Sequence, residues 1–319
     1  MQFRNRPWGD KWRERFAVSW PRYRDWYLSE GLERRPTIDE ARGKLAAHMP
    51  ELVPVFDRAC SLVGSDEIAH RALSLYRTPP VISGCSVAVA LGGIPVLVRN
   101  YDFTPDFFEG TVLRSRWTEH HDVIVTSEAW LGSLDGVNSA GLAVALTFGG
   151  RIAYSPEGFQ VPLLLRYVLE CRSTTTEASE TLSRIPVQAV QNVVILDKTG
   201  DYAVVYLAPD REAVTRRSPI ATNHQLALEW PERNRWSETA ERAECLSALR
   251  AKSPDLDRFI GAFHSAPLYR TDYRGGLGTL YTAVISPAEG SVEYRWPGQS
   301  TWRQSLADFS EGERYVATA

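Results

Sequence analysis

The sequence predicts an α+β fold built in layers, and three observations carry that prediction. Apolar residues recur every three to four positions through the first 80 residues, the spacing shortens to two from Cys85 onward, and the later strands enclose paired helical runs. No internal repeat and no low-complexity segment interrupts the pattern.

Taken in order, Ile38-Asp39-Glu40-Ala41 opens a helical run through Leu45, Met49, Leu52, Val55, Phe56 and Cys60, which Pro50 and Pro54 are expected to break. Residues 66–77 give a further short helix. Residues 86–91, 94–99, 123–127 and 141–147 read as strands separated by Gly-Gly and Gly-Val-Asn turns. Residues 161–171 and 176–184 return to helical spacing. Residues 192–197 and 202–207 then flank Lys198-Thr199-Gly200-Asp201, a hairpin signal. Helices over 237–251 and 254–263 and a final hairpin, 279–286 with 291–296, complete the order.

Composition narrows the function. The 319 residues are 44% hydrophobic and 24% charged, an ordinary globular balance, and the net charge of −3 leaves no basic excess to neutralise a phosphate backbone. Nucleic acid is therefore not an expected partner. The opening MQFRNRPWGDKWRERF lacks the apolar core of a secretory signal, and no apolar run reaches membrane-spanning length. Cys60, Cys85, Cys171 and Cys245 stand far apart with no C-x-x-C pair, which argues against a zinc site or a disulfide framework and places the expected location in a reducing cytoplasm.

One stretch carries chemistry. Gly84-Cys85-Ser86 stands at the head of an apolar strand, and a cysteine there can become a new N-terminus if the Gly84–Cys85 bond is cut. Its own α-amine would then serve as base, since an α-amino group titrates at about 7.7–8.0, close to the ~8.5 of a thiol. Glycine at 84 would tolerate the strained backbone that such a cut requires. A buried cysteine acting as a small apolar residue is the alternative.

The run Gly84-Cys85-Ser86, apolar strand, Gly92-Gly93, apolar strand, Arg99-Asn100-Tyr101-Asp102-Phe103 resembles the penicillin acyltransferase (peptidase C45) family of N-terminal-nucleophile hydrolases, relatives of choloylglycine hydrolases and acid-ceramidase-like amidases. Two later motifs agree in order. Asp135-Gly136-Val137-Asn138-Ser139-Ala140-Gly141-Leu142 is similar to the family's G-x-N-x-x-G-L segment, and Ala221-Thr222-Asn223-His224 to its T-N-H. The likeness runs from about residue 45 to 295, and the helical region before Gly84 resembles the family's propeptide. It implies a four-layer αββα fold with a helical leader over 1–84 and a catalytic domain over 85–319.

The same resemblance implies Cys85 as nucleophile and autocleavage between Gly84 and Cys85. Arg99 would stand beside the sulfur and favour the thiolate, and Asp102 would accept from the new α-amine. Asn223 would donate to the oxyanion, with Asn138 as a second polar contact. Thr239-Ala240-Glu241-Arg242 is similar to a family S-x-x-R element with Thr for Ser, which adds Arg242. Each has a plainer reading: Arg99 with Asp102 as a hairpin-end ion pair, Asn138 as a left-handed turn residue, Asn223 as a turn cap.

The implied activity is amide cleavage through a thioester, with water or an amine as acceptor and no cofactor or metal. The competing reading is an uncleaved, catalytically silent chain acting as a binding protein. Expected partners are a small-molecule amide or peptide-like substrate and the chain's own leader; a homo-oligomer is left open. His224 is not needed beside an activated α-amine, and His120-His121-Asp122 reads as surface, because adjacent strand residues point to opposite faces.

Overall fold

A computed structural model of the chain describes residues 9–252 and 255–317. The opening before Gly9 and the expected helix start at Pro254 lie outside the described residues.

Four helices come first: α1 (Asp10–Tyr27), α2 (Ile38–His48), α3 (Val53–Val63) and α4 (Glu67–Leu73). Thr37 and Asp66 start α2 and α4 by accepting from the Glu40 and Ala69 N–H groups. Pro50 opens a short 3₁₀ turn, and Pro54 sits in the first turn of α3, where a missing N–H costs nothing. The two prolines thus begin elements as well as interrupting the longer run.

Strands β1 (Gly84–Ala90) and β2 (Val96–Phe103) form a hairpin. A meander follows in β3 (Thr111–Ser115), β4 (Val123–Glu128), β5 (Gly132–Asn138) and β6 (Leu142–Phe148). The helices α5 (Val161–Cys171) and α6 (Thr175–Arg184) come next, then β7 (Gln191–Asp197), β8 (Tyr202–Leu207) and β9 (Val214–Arg216). After β10 (Ile220–Ala221), the chain adds α7 (Pro231–Ser237), α8 (Thr239–Ala251) and α9 (Leu256–Ala262). It ends with β11 (Thr271–Asp272), β12 (Leu277–Ser286), β13 (Ser291–Arg295) and β14 (Trp302–Ser305).

The strands make two antiparallel sheets, one ordered β10-β1-β2-β12-β13-β14 with β11 on β12, the other running β3 to β9 in sequence. Alternation along β1 and β2 separates two interiors. Cys85, Val87, Val89, Leu97 and Tyr101 face the core between the sheets, whereas Ala88, Val96 and Val98 pack on Leu246, Phe259, Ile260 and Phe263 of the late helices. With α5 and α6 against the second sheet, the order is helix, sheet, sheet, helix, the expected four layers.

Helix α5 is apolar nearly all round because it is covered twice, by the second sheet and by α2 to α4. Its Arg166 and Glu170, one turn apart and fully buried, pair at 3.1 Å. Several elements depart from expectation, among them β5, β9, β10, β11, β14 and α7, which are additions. Gly136-Val137-Asn138 lies inside β5, and the turn follows at 139–141, where Gly141 takes φ +88°. The helix expected over 237–251 divides at Glu238, a left-handed residue between α7 and α8. Strand β3 is an addition, since its TVLRS sequence is too short and too polar to announce itself.

Candidate active site

The register of the first hairpin sets Gly84 opposite Asp102 and Cys85 opposite Tyr101. Side chains at 85, 99 and 101 therefore point between the sheets, and those at 86, 100 and 102 point toward the late helices. Cys85 is 0% exposed. On its sulfur side, Arg99 Nη2 donates to Sγ at 3.3 Å while Nη1 donates to Asp135 Oδ2 at 2.5 Å and to the Tyr281 hydroxyl at 2.8 Å. Arg99 Nε reaches the Leu146 carbonyl, and the Tyr281 hydroxyl donates to Asp135 Oδ2 at 2.7 Å. The charge beside the thiol is thus held across the interior by β5, a strand of the other sheet.

The backbone of Cys85 has its own partners. Its N–H donates to Asn223 Oδ1 at 3.1 Å, and Arg242 Nη1 donates to its carbonyl at 2.6 Å. Arg242 also donates to Asn223 Oδ1 at 2.6 Å and to Ser86 Oγ at 2.9 Å, and lies 3.5 Å from Asp102 Oδ2. Thr279 Oγ1 donates to the other Asp102 oxygen at 2.7 Å. All these side chains are buried.

Burial sets the titration of the uncut site. It pushes the Cys85 thiol up, and the charge of Arg99 opposes that shift, as expected of a cation beside the sulfur. Burial likewise raises Asp102, with Arg242 as the main opposing influence.

Local features place these groups. Strand β12 slips register between Thr279 and Tyr281, so that Thr279 meets Asp102 while Tyr281 pairs with Tyr101. Two residues of equal parity are thereby aimed at opposite faces, one toward Asp102 and one toward Arg99 and Asp135. Gly84 is an ordinary strand residue, not one of positive φ, so strain tolerance is not its reason. A Cβ there would stand 2.8 Å from Leu277 Cδ2 and 3.1 Å from Asp102 Cβ, which makes space the requirement. Gly150, at φ +80°, lies so close that a Cβ would meet the Asn223 carbonyl oxygen at 2.1 Å. Asn192 Nδ2 and Thr147 Oγ1 both donate to the Thr222 carbonyl and so fix the segment carrying Asn223.

The structure gathers Cys85, Arg99, Asp102, Asn223 and Arg242 within this one network, with Gly84 at its edge. It does not bring Asn138 there. That side chain donates to the carbonyls of Leu169 and Arg172 and accepts from the N–H groups of Ala140 and Leu142, tying the β5–β6 turn to the end of α5. Nor is it the left-handed turn residue of the plainer reading: Asn138 ends β5, and Gly141 takes the left-handed position. Asn223 also differs from its expected role, since it presents its carbonyl oxygen to Cys85 and spends Nδ2 on the Phe148 carbonyl. His224 bonds Thr239 and Thr222, away from the sulfur. Sequence reasoning passed over Asp135, Thr279 and Tyr281. The polar GSLDGVN sequence of β5 carries no signal for the first, and the other two depend on the slip in β12.

Two antiparallel sheets between helical layers, with a Gly-Cys bond at the head of a central strand, define the N-terminal-nucleophile hydrolase fold. The chain belongs to the acyl-coenzyme A:6-aminopenicillanic acid acyl-transferase family, whose profile matches residues 90–301. Among solved structures it is similar to penicillin V acylase from Agrobacterium tumefaciens, with 17% identity and a TM-score of 0.51 over 70% of this chain and 86% of that one. It is also similar to a mutant of conjugated bile acid hydrolase from Clostridium perfringens, with 15% identity and a TM-score of 0.50 over 73% and 97% of the two chains. No curated protein matches the sequence.

Proposed function

We propose that the chain is a self-processing amide-directed acyl-transfer enzyme in which Cys85 cuts the Gly84–Cys85 bond and then carries a substrate acyl group as a thioester. The observation that supports this reading is the convergence of buried charge on one cysteine. Its sulfur, nitrogen and carbonyl are each met by a dedicated partner: Arg99, Asn223 and Arg242. Burying a guanidinium costs several kcal/mol before compensation, on the order of that for any buried ion. A cysteine that only filled space would need neither arginine.

In the first reaction Sγ attacks the Gly84 carbonyl carbon, the C–N bond breaks, and Cys85 nitrogen leaves with the thiol proton. Water then cleaves the thioester to a Gly84 carboxylate and a free thiol. The released α-amine keeps the neighbourhood its nitrogen already has, with Asn223 Oδ1 as acceptor and Asp102 on the adjoining position. In turnover the amine takes the thiol proton, the thiolate attacks the substrate amide, and the proton passes to the departing amine. Water as the second acceptor gives an amidohydrolase, and another amine gives an acyltransferase. The leader stays bound, because the apolar faces of its helices α1 to α4 are covered by the body.

The test is capture of the acyl group. Processed protein incubated with a panel of N-acyl amides and quenched in acid is expected to gain the acyl mass on the peptide beginning at Cys85. Cys85→Ala should neither gain mass nor release acid. Acid release undiminished in Cys85→Ala, or no amide turned over by processed protein, contradicts the reading.

A further inference from the structure

His120, set aside from the sequence as surface because its neighbour His121 points elsewhere, acquires different company in the fold. His121 Nε2 lies 3.2 Å from Ser173 Oγ, but His120 meets Glu51 and Cys171, and the ligand atoms of these three all lie within 4.8 Å of one another. We propose that Glu51, His120 and Cys171 form a binding site for a borderline divalent cation of the zinc type, joining the N-terminal helical segment to the body. Glu51 belongs to the 3₁₀ turn Pro50–Leu52, His120 to the loop between β3 and β4, and Cys171 is the last residue of α5. Three distant stretches of chain therefore converge on one point.

The donor set decides the class of ion. A thiolate with an imidazole and one carboxylate suits zinc and its neighbours, whereas magnesium and calcium seek oxygen alone. A fourth position is left for water on the exposed side of His120. The ligands are also held from behind, as ligating groups in metal sites are. Tyr167, one turn before Cys171, donates to Glu51 Oε2 at 2.7 Å and accepts from Arg172 Nη2 at 3.1 Å. Thr118 Oγ1 donates to the Glu170 carbonyl at 3.1 Å and accepts from the His120 N–H, tying the His120 loop to α5. Binding displaces the Cys171 thiol proton to solvent, and the S–metal bond replaces the S–H bond. The site is complete whether or not the chain is cut at Gly84; that it then retains the leader rests on the proposed processing.

Cobalt(II) is the probe, because a thiolate ligand gives a sulfur-to-cobalt charge-transfer band. The full chain, stripped with a chelator that is then removed, is expected to take up one Co²⁺ with that band and to lose it when Zn²⁺ is added. Cys171→Ser should abolish the band, whereas Cys60→Ser and Cys245→Ser should keep it. His120→Ala, which alters an exposed side chain and leaves the fold intact, should weaken binding by at least about tenfold. No sulfur-to-cobalt band in the wild-type chain, a band that survives Cys171→Ser, or binding indifferent to His120→Ala would each overturn the site.

Discussion

Asn223 faces Cys85 with an oxygen, and that orientation is fixed by Arg242, whose Nη2 donates to the same atom. Two roles can be separated by isosteric and truncating variants. If Asn223 accepts from the nitrogen of Cys85, Asn223→Asp keeps the acceptor and should retain kcat within about tenfold, while Asn223→Ala loses it. If Asn223 instead supplied an oxyanion N–H, both variants should lower kcat by roughly 10²–10³ with little change in KM. The geometry favours the first outcome. Asp135 makes a second case, since it is the buried partner of Arg99 and has no solvent to replace it. Asp135→Ala should lower stability by about 3–5 kcal/mol, measured by urea unfolding of the Cys85→Ala background, because it strands a buried guanidinium. Tyr281→Phe should cost only about 1 kcal/mol. At this scale the motifs located the residues whose spacing lies within one hairpin or one turn. They were silent on Asp135, which acts across the space between sheets, and they misplaced Asn138, whose local turn uses every polar atom it has.

Helix α1 docks on the body through a carboxylate pair. Tyr23 donates to Glu128 Oε1 at 2.5 Å, and Glu109 accepts from the Trp130 N–H at 3.1 Å and from Ser127 Oγ at 3.3 Å. Rings of Phe16, Trp20 and Tyr23 close around Trp130. Burial first, and Glu109 next, hold Glu128 well above the usual carboxylate range, and burial raises Glu109 as well. Carboxyls with raised folded values bind protons that the unfolded chain gives up. Their contribution to stability is complete below the ordinary carboxylate range and is lost as pH climbs through the raised values. Glu128→Gln removes one of these titrations while keeping an acceptor for Tyr23. Its urea midpoint at pH 7 should exceed that of the parent, with a shallower decline between pH 5 and 8. An unchanged profile would remove Glu128 from the docking account. Much of the element order was legible because apolar runs bounded by turn residues mark strands buried on both faces, as in β1 and β2, and period-four spacing marks a helix such as α3. Helical spacing also located α5 at residues 161–171, although most of its side chains are buried. Periodicity fails for β5, where a Gly-Val-Asn that reads as a turn continues the strand because Gly136 passes close to the backbone of Ile124, with a Cβ there only 2.4 Å from its carbonyl oxygen.

Across the whole molecule, the proposed nucleophile is sealed in the intact chain. Cys85 has no exposed surface, so a substrate can reach Sγ only after the strand is opened at Gly84, and turnover should follow processing in time. Among the described residues no helix is long and apolar enough to cross a membrane. The layered α+β frame was readable from the run of strands and helices after Cys85, and its four-layer form from the resemblance carried by the motifs. The stacking of α2 to α4 over α5 was not, because it depends on contacts such as Tyr167 with Glu51 that join residues 116 positions apart. The central claim is that Cys85 becomes an N-terminus by its own chemistry, and intact-mass spectrometry with N-terminal sequencing tests it most directly. Purified wild-type chain held at neutral pH for days should resolve into residues 1–84 and 85–319, which co-elute on a sizing column, with cysteine at the new N-terminus, while Cys85→Ala remains a single chain. A wild-type chain still intact after that time, or a Cys85→Ala chain cut at the same bond, would contradict the account.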